Sequence, residues 1–161
     1  MECKIKESKK ISAGLLMYRI ISKKLEVFLA HPGGLYYTKR NRGLWGIPKG
    51  EIDGQGIFQT AIREFNEETG IKVSEKKEDY IYLGTVKQKS GKIVYAWAFE
   101  KDFNGKIKSN TCSVEWPPKS GKKLEIPEVD KAEFFDEEEA REIIIPEQFE
   151  FIERLKEKLK I

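Results

Sequence analysis

The chain has 161 residues, of which 39% are hydrophobic and 35% charged, and its 30 basic and 27 acidic side chains leave a net charge of +3. A chain of this length fits one domain that buries about two-thirds of its unfolded surface, and its aromatic and branched content excludes intrinsic disorder. So close a charge balance excludes a protein that works through bulk basicity, and no stable nucleic-acid partner is expected.

In chain order, the first ten residues, MECKIKESKK, are polar, and Arg19 interrupts the apolar run that follows. Neither a signal segment nor a membrane span is expected, which points to a cytoplasmic protein without a membrane partner. Cys3 and Cys112 lack any CxxC neighbour, so two reduced thiols are expected rather than a disulfide or a zinc site.

Ile11 to Ile20 and Leu25 to Ala30 are apolar runs on either side of Ser22-Lys23-Lys24, the pattern of a β-hairpin or of neighbouring strands. The stretch from 31 to 47 reads as a loop rich in Gly, Tyr and basic residues. Within it His31, the only histidine, sits in an HPGG turn at a strand end and is expected to be structural. Lys39, Arg40, Arg42 and Lys49 are candidates to receive phosphates, and Tyr36, Tyr37, Trp45 and Trp116 are candidates to stack on a base, with structural roles favoured for the two tryptophans. Tyr37, Arg40 and Lys49 are the chosen substrate-binding candidates.

Residues 57 to 69, IFQTAIREFNEET, place Phe58, Ala61, Ile62 and Phe65 on one stripe at helical spacing, and Gly70 suits the position just past the helix end. Glu64, Glu67 and Glu68 then project together, at i, i+3 and i+4, from a patch beside that stripe. Like charges so placed repel by a few tenths of a kcal/mol per pair in a solvated helix. A divalent cation reverses that sign, and Mg²⁺ takes oxygen ligands of this kind together with substrate phosphates. Arg63, one turn before Glu67, is placed to orient its carboxylate. Ahead of the helix, Pro48 stiffens the chain and Gly50 lets backbone approach a metal or phosphate closely.

Tyr80 to Val86 and Lys92 to Phe99 form a second pair of strands around Ser90-Gly91. From Lys101 to Pro127 the pattern dissolves into Lys, Gly, Ser and Pro, which reads as a long irregular loop and a substrate-contact candidate. A strand-like stretch, Ala132 to Phe135, follows. The chain ends on an amphipathic helix within 146–161, with Phe149, Ile152, Leu155 and Leu159 toward the core. Strands on both sides of one helix indicate an α/β or α+β layered fold.

Arg63-Glu64-Phe65-Asn66-Glu67-Glu68-Thr69-Gly70-Ile71 resembles the second half of the Nudix box. The first half departs from the pattern: 12 residues separate Gly50 from Arg63 where the family has 13, and Gln55 stands eight before Arg63 where the family has Glu. Similarity extends to Ser12-Ala13-Gly14-Leu15-Leu16, His31-Pro32-Gly33-Gly34, Glu115-Trp116-Pro117-Pro118 and Pro127-Glu128-Val129-Asp130. These stretches look like a bacterial and archaeal group of predicted NTP pyrophosphohydrolases. The resemblance implies a single Nudix domain over 1–161, built as an α/β/α sandwich around a mixed sheet. It also implies Mg²⁺ or Mn²⁺ as cofactor and attack of water on a pyrophosphate linkage in a nucleotide substrate.

By position, Glu64, Glu67, Glu68 and the carbonyl of Gly50 are the implied metal ligands, and Arg63 an orienting partner. Glu64 and Glu128 are the two candidates for general base. The rival reading is a nucleotide-sensing domain that kept the fold and lost efficient hydrolysis. RNA decapping fits the balanced charge poorly.

Overall fold

The protein is described by a computed structural model in which residues 11–161 are placed. Cys3 lies outside the described residues.

The first run forms β1 (Ile11–Ile21), and β2 (Lys24–Pro32) folds back on it antiparallel. Ser22 and Lys23 both adopt positive φ, at 48° and 68°, the geometry that lets a two-residue turn follow the twist of the strands it joins. A short strand, β3 (Lys49–Glu51), pairs with the opening of β1. After helix α1 (Ile57–Thr69) come β4 (Ile81–Lys87) and β5 (Ile93–Glu100), antiparallel to each other, and β5 lies parallel to β1. The ribbon β6 (Thr111–Glu115) and β7 (Lys123–Pro127) precedes β8 (Val129–Asp136), which closes against β2. Helices α2 (Glu137–Ile143) and α3 (Phe149–Leu159) end the chain. The resulting order is β4-β5-β1-β2-β8, with β3 on β1. One parallel pair among antiparallel ones makes the sheet mixed.

Alternation along the strands builds two cores. Ala13, Leu15 and Met17 of β1 join Phe28, Phe58, Ala61 and Phe65 under α1. Leu16 and Tyr18 turn to the other face, where Ala140, Ile144, Phe151, Ile152 and Leu155 of the C-terminal helices cover them. The expected α/β/α sandwich is the observed one. The anticipated faces of α1 and α3 are met: Phe58, Ala61, Phe65, Phe149, Ile152 and Leu155 are all buried. None of the described helices is long and apolar enough to cross a membrane.

Three expectations are corrected. The stretch from Lys101 to Pro127 is not wholly irregular, because its second half is the β6–β7 ribbon. Its strands are mostly exposed, so no hydrophobic period marked them. Trp116 is 39% exposed at the end of that ribbon rather than in a core, whereas Trp45 is buried as expected. Cys112 is buried and disulfide-bonded, not a free thiol.

Candidate active site

Helix α1 and the strand before it bring the acidic residues and the Lys49–Gly50 turn together. Gly50 pairs with Ala13 on β1, and a methyl group added to it would lie 2.0 Å from Glu64 Cδ. Only glycine lets the Glu64 carboxylate rest on this backbone, and Glu64 is 6% exposed there. The backbone N–H of Lys49 donates to Glu68 Oε2 at 2.7 Å. Arg63 Nη1 lies 3.2 Å from Glu64 Oε1 and 3.3 Å from Glu67 Oε1, while its Nε donates to Gln55 Oε1 at 2.8 Å. Arg63 thus bridges Glu64, Glu67 and Gln55. Gln55 keeps the arginine's partner although it lacks the charge of a glutamate.

Burial dominates the electrostatics. It pushes the Glu68 carboxyl well above the ordinary value of 4.5, the nearby Glu64 and Glu128 raise it further, and Lys49 opposes them only in part. The Lys49 ammonium is held below its ordinary value, first by burial and then by Lys92, against the pull of Glu68, Glu51 and Glu64. Lys92 in turn sits 3.7 Å from Glu51. Lys92 and Glu51 are members of this charge cluster that the sequence reading missed; Glu51 was visible as the residue next to Gly50, whereas Lys92 arrives only through the pairing of β5 with β1.

Glu128 enters from the junction of β7 and β8. Its N–H donates to the carbonyl of Asn110 at 2.9 Å, and its own carbonyl accepts from Gly33 N–H at 3.0 Å. Asn110 N–H also donates to the carbonyl of Glu67, and Lys108 N–H to that of Thr69. The open carbonyls at the end of α1 are thereby tied to the junction that carries Glu128. Asn110, like Lys92 and Glu51, was not singled out from the sequence for this role.

The other substrate candidates lie apart from this cluster. Arg40 is exposed, with its guanidinium 4.6 Å from the centre of the Tyr36 ring and donating to Tyr36 Oη at 3.2 Å. Tyr37 meets Tyr36 edge to face.

Among the described residues, no three His, Cys, Asp or Glu side chains stand ready to hold a metal ion. Glu67 is turned toward Arg63 and Glu68 toward the Lys49 amide. The chemistry of the donors nevertheless suits a hard divalent cation: the ligands are oxygens only, and burial together with the nearby Glu64 makes the Glu68 carboxyl harder to ionise.

A family model described as the NUDIX domain matches residues 13–155. The chain belongs to the Nudix family. Solved structures show the same fold at low identity. A C. elegans Ap4A hydrolase in a binary complex is 22% identical, with 93% of this chain and 97% of that chain covered and a TM-score of 0.63. The NUDIX domain of Shewanella oneidensis NrtR, complexed with ADP ribose, is 15% identical, with 99% and 94% covered and a TM-score of 0.63. Comparison with curated proteins by sequence finds no match. As a group, Nudix proteins generally use divalent cations, so the cluster around Glu64 and Glu68 is the place in this Nudix chain to test for one.

Proposed function

We propose that the chain, read as one Nudix domain over 1–161, is a Mg²⁺- or Mn²⁺-dependent pyrophosphohydrolase. Its substrate class is a nucleoside diphosphate linked to a further group, such as a nucleoside triphosphate or a dinucleoside polyphosphate. The observation that carries the reading is the packing of the Glu64 carboxylate on Gly50 with Glu68 held by the next amide, a pair of crowded acids that gains most from a cation. Glu64, Glu67, Glu68 and the Gly50 carbonyl are the proposed ligands. When bound there, the cation supplies neutralisation of phosphate oxygens and a more acidic water.

The chain's own residues do the rest. Arg63 keeps Glu64 and Glu67 oriented. Lys49 and Lys92 add positive charge where the phosphates arrive. Glu128 accepts the proton as water oxygen attacks phosphorus, and the bridging P–O bond breaks with its electrons leaving on the departing phosphate. Its influence on Glu68 supports this assignment, since the two acids are close enough to raise that carboxyl. Arg40 and Tyr37 are the proposed contacts to the more distant part of the substrate.

The test is a screen of nucleoside triphosphates, dinucleoside polyphosphates, ADP-ribose and nucleotide sugars with Mg²⁺ or Mn²⁺, reading the phosphate products. Product that persists in excess chelator contradicts the reading. The sensing alternative is supported by the likeness to the NUDIX domain of NrtR complexed with ADP ribose. Nucleotide binding with no product from any of these compounds is the outcome that selects it.

A further inference from the structure

His31 is wholly buried, yet neither core contains it and the proposed chemistry does not use it. Its Nδ1 lies 2.7 Å from Asp130 Oδ1, and its Nε2 lies 2.5 Å from the carbonyl oxygen of Arg40. A carboxylate and a carbonyl oxygen thus face the two ring nitrogens, and a ring N–H can donate to either.

The backbone explains why Asp130 is in reach. Between β2 and β8 the register shifts at His31 and Pro32: His31 pairs with Lys131 and Pro32 with Val129, which leaves Asp130 as an extra residue. A bulge of this kind re-aims the side chain it carries. The next residue on the β2 side, Gly33, donates to the Glu128 carbonyl, and any side chain there would collide with the Pro127 carbonyl, 1.8 Å from the added carbon. The imidazole therefore spans the base of the loop from 33 to 40 and joins the far end of that loop to the segment that carries Glu128. Trp45 packs edge to face on the ring, with centres 5.2 Å apart.

We propose that His31 is a positioning residue for nucleotide binding. Through its contacts with Arg40 and Asp130 it fixes the Tyr36–Arg40 face of the loop against the Glu128 segment, and so sets affinity for the nucleoside diphosphate part of the ligand. The inference rests on reading this site as nucleotide-binding, and it names a determinant of affinity that the chemistry itself does not require.

The experiment uses the whole chain with Mg²⁺ and ADP as the probe, with affinity read by calorimetry. His31→Phe keeps the volume and the contact with Trp45 but removes both ring nitrogens, and it is expected to weaken ADP by about tenfold, the size of a lost hydrogen bond with a charged partner. Arg40→Ala weakens ADP in the wild type, and in the His31→Phe background it adds little, because the two changes act through one arrangement. Asp130→Ala, which leaves the ring in place, is expected to reproduce the loss.

Since the chain has one histidine, ring nitrogen NMR is free of overlap. A slowly exchanging ring N–H proton is expected in the wild type and a faster-exchanging one in Asp130→Ala. Ring N–H exchange unchanged in Asp130→Ala, ADP affinity in Asp130→Ala within twofold of wild type, or additive effects of His31→Phe and Arg40→Ala would each overturn the proposal. Wild-type protein that binds ADP yet cleaves none of the screened compounds defeats the hydrolase reading and leaves this one standing.

Discussion

A single glycine separates a Nudix-type acidic patch from an ordinary charged helix face in this chain. The i, i+3, i+4 spacing of Glu64, Glu67 and Glu68 was legible in the sequence, but not that Glu64 folds onto Gly50, because that contact crosses from α1 to β3. Gly50→Ala is expected to displace Glu64, abolish metal-dependent turnover and lower the affinity for Mn²⁺ while the rest of the fold persists. Retained Mn²⁺ binding in a calorimetric titration is the contrary result. Gln55 illustrates what a motif comparison misses: the substitution at that position looks like a lost charge, yet its side-chain oxygen still holds Arg63. Arg63→Ala is therefore expected to weaken metal binding about 10–100-fold, the usual effect of losing an outer partner of a ligand, measured by the same titration. Glu68 adds a pH dependence. Its folded pKa lies above the unfolded one, so its contribution to stability is fully present below pH 4.5 and is lost as pH rises through the folded value. Glu68→Gln removes that loss: metal-free protein carrying it is expected to melt higher than wild type at neutral pH, by an amount that vanishes in acid, and to gain nothing from added Mg²⁺. A wild type that melts higher than Glu68→Gln at neutral pH without metal contradicts the sign.

Elements with a strong hydrophobic period were readable, and those held by polar contacts were not. Helix α1 and both hairpins announced themselves through alternation or 3.6-residue spacing, and Gly70 takes φ 75° at the end of α1 with its N–H on the Asn66 carbonyl. Strands β6 and β7 carry mostly exposed residues, so their pairing leaves little trace in hydropathy. Helix α2 was also missed, although a local signal existed. Asp136 accepts from Glu139 N–H while the Glu139 side chain accepts from Asp136 N–H, a capping box that starts a helix of only seven residues. The short helix does structural work: it delivers Ile143, whose carbonyl accepts from the N–H groups of Leu44 and Trp45, and Ala140 into the C-terminal core. Asp136→Ala is expected to cost about 1 kcal/mol, a fall of roughly 2–4 °C in Tm for a protein of this size, with nucleotide affinity unchanged. A loss of nucleotide affinity at equal occupancy of the folded state would show that α2 reaches further into the site than its contacts suggest.

At the scale of the whole molecule, the layers were predictable, but the connection between them was not. Periodicity said that α1 and α3 each need an apolar partner, and one sheet with two faces is the economical answer. What hydropathy does not show is a polar side chain that joins the α3 layer to the segment leading into Lys49 and Gly50. Gln148, fully buried just before α3, accepts from the Ile47 N–H at 2.9 Å and donates to Gln88 Oε1 at 3.0 Å. It also fills the space beside Gly46, where an added carbon would come within 2.9 Å of its side-chain oxygen. The turn that places Lys49 and Gly50 is thus anchored from the opposite face of the sheet. Gln148→Leu keeps the volume and leaves the Ile47 amide without its partner, which is expected to cost about 1–3 kcal/mol. Ile152→Val in the same layer costs about 0.5–1.5 kcal/mol by loss of packing alone. If the amide is a structural anchor for the site, Gln148→Leu weakens Mn²⁺ binding whereas Ile152→Val does not, even when both are compared at temperatures equally far below their melting points. Equal metal affinity in the two variants would reduce Gln148 to a core residue whose effects stop at stability.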